Sequence, residues 1–225
     1  MKKYAVIVAG GTGVRMGGDV PKQFMLLHGK PVIAYTIEAF LQAYEDLEVI
    51  LVLPEQQMET GKQIVAILND NNRITITAGG TTRFESVKNG LSLVTDPSVV
   101  FVHDGVRCMV SKQLIRQCYQ QALEKGSAIP AVAATDSIRI QTNEQYQVTD
   151  RRNVRLIQTP QTFLSGIILP AFQQAYSDAF TDEATVVEAN GTEVFLIEGA
   201  YNNIKITRPL DLHIAEKLLE SGLLF

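Results

Sequence analysis

Five short, nearly unbroken apolar runs rich in β-branched residues recur along the chain: YAVIVA (residues 4–9), EVILVLP (48–54), RITITA (73–78), SVVFVH (98–103) and SAIPAVA (127–133). Strands of this kind are buried on both faces. The segments between them, PVIAYTIEAFLQAY (31–44), EQQMETGKQIVAILND (55–70), TRFESVKNGLSLV (82–94) and SKQLIRQCYQQALEKG (111–126), repeat apolar residues every three or four positions, the period of an amphipathic helix. Ser111 opens the fourth segment and Gly126 follows its end, as helix caps do. Such alternation predicts an α/β fold, a doubly wound and mostly parallel sheet with helices on both faces, whose ligands bind beyond the carboxyl ends of the strands. With 225 residues and 46% hydrophobic content, the chain is long enough to bury a core as one domain spanning 1–225.

The alternation breaks between Thr135 and Leu156. Two roughly alternating segments, SIRIQ (137–141) and QVTDRRNVRLIQ (147–158), flank the polar turn TNEQ, which predicts a β-hairpin arm over 135–156. A lone hairpin is marginal in water, so the arm is expected to pack on something; a second copy of the chain is the economical partner, and the arm's own domain is the alternative. Beyond it, a helix is expected over SGIILPAFQQAY (165–176), a second headed by TDEATVVEANG (181–191), strands at TEVFLIEG (192–199) and NNIKIT (202–207), and a final helix at PLDLHIAEKLLESG (209–222).

Composition narrows the chemistry. A net charge of −4 provides no broad basic face for a nucleic-acid backbone, so any phosphate binding is local and the ligand small. Cys108 and Cys118 form neither a CxxC nor a disulfide framework, and His28, His103 and His213 lie far apart in sequence, which argues against a structural zinc site. The run YAVIVA ends at glycines, too short for a signal peptide, and no apolar run approaches membrane-spanning length. A cytoplasmic protein is expected.

One loop calls for an anion. Directly after the first strand comes AGGTGVRMGGDVPK, in which five glycines accompany Arg15 and Lys22. The GxxxxGK[ST] form of a P-loop is absent, and Gly11, Gly13 and Gly17 give GxGxxxG rather than the dinucleotide fingerprint GxGxxG. A third possibility is a nucleotidyltransferase loop, whose glycine amides wrap a triphosphate under the two cations, with Pro21 restricting the backbone beside Lys22. A plain glycine turn with two solvated basic residues is the alternative.

The loop has company. AGGTGVRM…PKQF, GGTTRFESVKNGL, VHDGVR, TDR, QTPQ, TDEATVVE and NIKIT follow in order, and together they resemble the cytidylyltransferases that act on polyol phosphates, in particular the methylerythritol phosphate enzymes of the non-mevalonate isoprenoid pathway. The resemblance covers nearly the whole chain. It implies a Rossmann-like nucleotidyltransferase fold, a homodimer built through the arm, and the reaction of CTP with a polyol phosphate to give a CDP-linked alcohol and pyrophosphate, with Mg²⁺ or another divalent cation. A ribitol phosphate enzyme is the nearest alternative, and a non-catalytic nucleotide-binding module is a more distant one.

The site residues follow from the same resemblance. Arg15 and Lys22 are the expected catalytic cations. CTP is expected at Ala9, Gly10, Gly11, Thr12 and Gly13 and at Gly79, Gly80, Thr81 and Ser86, where backbone groups and a hydroxyl can tell cytosine's amino group from uracil's carbonyl. For Ser86, a hydroxyl satisfied by its own helix is an equal alternative. The acceptor is expected at Asp104, Arg107, Ser137, Arg151, Thr159, Thr181 and Lys205. Asp104 is the one metal ligand to consider, although a polyol hydroxyl suits it better, since the triphosphate itself supplies most metal oxygens. Thr181 can also serve as a helix N-cap, and Arg151 is preferred to Arg152 for its spacing to QTPQ. Two positions depart from the family pattern: Cys108 stands where proline is usual, read as a small apolar side chain, and Ser137 stands where threonine is frequent.

Overall fold

The computed structural model describes residues 1–10, 20–95 and 97–222, so the expected loop positions Gly11, Thr12, Gly13 and Arg15 lie outside the described residues. In chain order the first half comprises β1 (Lys2–Val8), a small ribbon of β2 (Leu26–Leu27) and β3 (Lys30–Pro31), α1 (Val32–Ala43), β4 (Leu47–Leu53), α2 (Met58–Ala66), β5 (Ile74–Ala78), α3 (Arg83–Leu91) and β6 (Ser98–Asp104). The second half comprises α4 (Lys112–Lys125), β7 (Ser127–Ala133), β8 (Ile138–Thr142), β9 (Gln145–Thr149), β10 (Arg155–Ile157), β11 (Gln161–Leu164), α5 (Ser165–Ala171), α6 (Glu183–Ala189), β12 (Leu196–Glu198) and α7 (Pro209–Glu220).

The expected α/β architecture is present. β5, β4, β1 and β6 run parallel to one another, and their residues alternate between two cores as a period of two requires. Ala5 and Ile7 of β1, Val49 and Leu51 of β4, and Val99 and Phe101 of β6 face α1, α2 and α4. Tyr4, Val6, Ile50, Val52, Val100 and Val102 face α3, α5 and α6. A third cluster seats Val106, Cys108 and Ile206 against Ala215 of α7. There Cys108 is a buried thiol that burial pushes up to about 12, which fits the small apolar role expected of it. The caps expected on α4 also form: the Ser111 hydroxyl accepts from the Leu114 N–H at 3.1 Å, and Gly126 takes a positive φ of 87°.

Several local expectations are corrected. The second half of the arm is not one strand: among the described residues β9 pairs with β8 alone, a 3₁₀ turn follows at Arg151–Asn153, and β10 leaves the arm to pair antiparallel with β7. A strand absent from the sequence reading, β11, lies antiparallel between β6 and β7. NNIKIT is no strand, and TEVFLIEG is strand only over β12. The helix expected over 165–176 ends at Ala171, one residue after Pro170. The cap of α6 is Asp182 rather than Thr181, because Asp182 and Thr185 satisfy each other's backbone N–H groups in a capping box.

Candidate active site

Three turns meet beyond the carboxyl ends of β1, β5 and β6. Ala9 donates its N–H to the Val52 carbonyl at 3.0 Å, Gly79 donates to Leu53 at 2.8 Å, and Gly105 donates to Val8 at 2.9 Å, so each turn leaves the sheet in a fixed direction. Between them opens a pocket of about 310 Å³ lined by Ala9, Gly10, Lys22, Gly80, Thr81, Ser86, Asp104 and Lys205, among others. Eight residues expected from sequence to bind or act on substrate are thus brought together.

The wall after β5 is made by close approach. A Cβ on Gly79 would lie 2.8 Å from the Ser86 hydroxyl oxygen, and one on Gly80 would lie 2.3 Å from the Cβ of Glu85, so neither position has room for a side chain. Ser86 accepts from the Gly80 N–H at 3.1 Å and donates to the Thr82 carbonyl at 2.9 Å. Its hydroxyl therefore serves its own helix while lining the pocket. Glu85 accepts from the N–H and hydroxyl of Thr81 and from the N–H of Thr82, and these donors, the Thr81 hydroxyl first, hold its carboxyl below the usual range. Thr81 consequently commits both its hydroxyl and its N–H to Glu85 rather than to a ligand.

Lys22 sits on a 3₁₀ turn, Lys22–Phe24, that follows Pro21 at φ −56°. Its neighbour Gln23 is fully buried and donates to the Ala9 carbonyl at 2.9 Å and to Gln57 Oε1 at 2.8 Å. This buried amide, which the sequence did not single out, ties the lysine's backbone to the end of β1.

Asp104 closes the floor. Its Oδ1 meets Arg83 at 3.2 Å, and its Oδ2 meets Lys205 at 2.9 Å and Arg107 at 3.5 Å. Burial alone would raise its pKa, but the three cations, Arg83 foremost, hold the carboxyl well below the usual range. A carboxylate so surrounded accepts hydrogen bonds and does not suit a divalent cation, and no metal-sized cluster of His, Cys, Asp or Glu exists among the described residues.

Beneath it, His103 is fully buried between two partners. Its Nε2 faces the Arg107 carbonyl at 3.1 Å and must carry the proton, so Nδ1 accepts from the Thr159 hydroxyl at 3.0 Å. The same hydroxyl accepts from the Asp104 N–H at 3.1 Å. Thr159, expected at the acceptor, is thus 5% exposed with its hydroxyl turned inward, where it sets the backbone of Asp104. Asn203, also fully buried, completes the support: its side-chain amide N–H donates to the Thr159 carbonyl and its backbone carbonyl accepts from Arg107, both at 2.8 Å.

Burial pushes the His103 imidazole down to about 4. The unfolded chain therefore takes up a proton near pH 6.5 that the folded chain refuses until about pH 4. Stability from this site is full above pH 6.5 and is lost as pH falls toward 4, a difference of about 3 kcal/mol. His103→Gln has nothing to titrate, so urea unfolding should show the gap between wild type and variant narrowing by about that amount from pH 7 to pH 4. A gap independent of pH would contradict a neutral buried imidazole.

Four expected residues stand elsewhere. Ser137 and Arg151 are exposed on or beside the arm, and neither lines the pocket; Arg151 donates to the Thr135 carbonyl. Arg152 is occupied by Asp150 through both carboxylate oxygens. Thr181 is exposed, with its N–H donating to Thr185 Oγ1 at 3.1 Å, and Arg107, 12% exposed at its side chain, packs behind Asp104. Arg83, which lines the pocket, was missed in the sequence although its motif GGTTRFES was noted.

Parallel strands whose carboxyl ends converge on a glycine-walled, cation-lined pocket define an α/β protein of the nucleotide-binding class. Residues 4–221 match the family described as IspD: 2-C-methyl-D-erythritol 4-phosphate cytidylyltransferase. The enzyme of that name from Phocaeicola vulgatus is 46% identical over 219 residues, covering 97% of this chain and all of the relative, and that from Bacteroides thetaiotaomicron is 45% identical with the same coverage. Among solved structures, 4-diphosphocytidyl-2C-methyl-D-erythritol synthase from Anaerococcus prevotii is similar at a TM-score of 0.83 with 28% identity, covering 97% of this chain and 96% of that one. The Thermus thermophilus cytidylyltransferase gives 0.77 with 30% identity, covering 98% and 100%. The chain belongs to the 2-C-methyl-D-erythritol 4-phosphate cytidylyltransferase family.

Proposed function

We propose that the protein transfers the cytidylyl group of CTP to 2-C-methyl-D-erythritol 4-phosphate and releases pyrophosphate. The observation that carries this reading is the pocket that joins the Gly10, Gly80 and Ser86 wall to Lys22, Asp104 and Lys205, in a chain whose relatives bear that activity in their names. The acceptor's phosphate oxygen attacks the α-phosphorus in line as pyrophosphate leaves. A phosphomonoester is largely dianionic near neutral pH, so the protein supplies neither nucleophile nor base. Its work is to position the reactants and to balance developing charge.

In this reading backbone groups of Ala9, Gly10, Gly79, Gly80 and Thr81 serve the cytosine, Lys22 the triphosphate, and Asp104, Arg107 and Lys205 the acceptor; Arg15, outside the described residues, is assigned to the triphosphate by its motif alone. A divalent cation such as Mg²⁺ enters as part of the nucleotide substrate, on the triphosphate oxygens, since Asp104 is already surrounded by cations. The arm supports a homodimer: Ile140, Tyr146 and Val148 are 52%, 63% and 74% exposed on a hairpin that, among the described residues, pairs with no other strand, which is apolar surface suited to a second copy. Ser137 and Arg151 then reach the partner's acceptor site, together with that chain's own Thr181. Soluble phosphorylated substrates support a cytoplasmic setting for the reaction.

The test is pyrophosphate release from CTP with methylerythritol phosphate, with ribitol 5-phosphate and with neither. Release with the first alone is expected. Release with ribitol phosphate alone, or none with any acceptor, would overturn the reading. Lys205→Ala should raise the acceptor's KM about tenfold or more while calorimetry finds CTP affinity nearly intact; an equal loss of CTP affinity would move Lys205 to the triphosphate.

A further inference from the structure

Glu183 is the first residue of α6, and its side chain is only 2% exposed. Its two oxygens meet the Arg83 guanidinium at 3.0 and 3.2 Å. The Arg83 nitrogen held by Glu183 Oε2 also reaches Asp104 Oδ1, at 3.2 Å. One guanidinium thus spans a carboxylate inside the pocket and one outside it, since Arg83 and Asp104 line the pocket and Glu183 does not. The frame around it is stiff. Gln161 of β11 accepts from the Ala184 N–H at 2.8 Å and donates to Asp182 at 2.9 Å, and Gln161 pairs with Val102 of β6, two residues before Asp104.

We propose that Glu183 is a positioning residue for the acceptor site: by holding Arg83 it restricts that arginine to Oδ1 of Asp104 and leaves Oδ2 to Lys205. The inference rests on the proposed transfer reaction. One charge-assisted hydrogen bond, from Nη2 to Oε2, and a close ion contact of Nη1 with Oε1 together orient the guanidinium, and a guanidinium released from Glu183 would close on both oxygens of Asp104 and displace Lys205. Burial pushes Glu183 up to about 7, with Arg83 pulling the other way and Asp104 and Asp182 adding to the rise. Its charge therefore depends on Arg83. Without that arginine, a buried Glu183 takes a proton and becomes nearly isosteric with glutamine.

This dependence sets the test, a cycle of wild type, Glu183→Gln, Arg83→Gln and the double variant, each assayed for acceptor kcat/KM and, by calorimetry, for CTP affinity. Wild-type turnover reports on the proposed reaction independently of the variants. Glu183→Gln is expected to lower acceptor kcat/KM about tenfold in the wild-type background and less than about twofold in Arg83→Gln, with CTP affinity held in both. Equal losses in the two backgrounds, a matching loss of CTP affinity, or a lower melting temperature with unchanged kinetics would each overturn the proposal. If Glu183→Gln does not fold, Glu183→Asp decides, because it keeps the charge and shortens the reach. A loss of about threefold or more in acceptor kcat/KM supports positioning, and wild-type kinetics overturn it.

Discussion

Lys22→Ala is expected to lower turnover by about a hundredfold or more while changing CTP affinity only a few-fold, the signature of a charge that acts mainly in the transition state. The expectation comes from how the side chain is mounted. Pro21 enters the 3₁₀ turn with its φ locked, and Gln23 pins the next residue to the end of β1 and to Gln57. The ammonium thus enters the pocket from a fixed base and needs little reorganisation as charge moves onto the leaving pyrophosphate. Lys22→Arg keeps the charge on a longer, planar group and should recover part of the loss. Unchanged turnover with weaker CTP binding, measured by steady-state kinetics and calorimetry, would make Lys22 a passive triphosphate ligand instead.

The parts of the fold that read clearly from sequence are those where one physical demand dominates. β1, β4 and β6 are buried on both faces, so their apolar runs are continuous and visible. β11 is equally buried, yet Gln161 and Thr162 put one polar side chain on each of its faces because they serve the start of α6 and Cys118 of α4, and four residues are too few to show a period. NNIKIT misleads for the opposite reason. Its alternating isoleucines are anchored by an Ile206 N–H bond to the Val106 carbonyl and by packing against α7, with no neighbouring strand. In the site, motif residues near the strand ends were found because glycine and lysine are conspicuous there. Arg83 and Glu183 were missed because an arginine and a glutamate in the first turns of two helices read as surface residues until the fold joins positions 100 apart. Thr159 was found, but the direction of its hydroxyl depends on His103, and no spacing in the chain encodes that.

The arm leads to the second large expected effect. Arg151 carries a charge suited to the acceptor phosphate, yet it is exposed and does not line the pocket of its own chain, while Ile140, Tyr146 and Val148 of β8 and β9 lack cover. Both facts are accounted for if the arm docks on a second copy and completes that copy's site, so that dimerisation becomes a condition of activity. Arg151→Ala and Lys22→Ala chains should each be nearly inactive alone. In a mixed dimer with a shared site, the Lys22→Ala pocket receives the Arg151→Ala arm and collects both lesions, whereas the other pocket keeps its own Lys22 and receives an intact Arg151. Equal mixing with statistical exchange makes half the dimers mixed, each with one working site, so activity should recover toward about a quarter of wild type. If the arm instead serves its own chain, every site in the mixed dimer carries one lesion and nothing recovers. Light scattering verifies that both variants dimerise, and a tag on one chain verifies that subunits exchange; persistent inactivity after both checks would rule out a site shared between protomers.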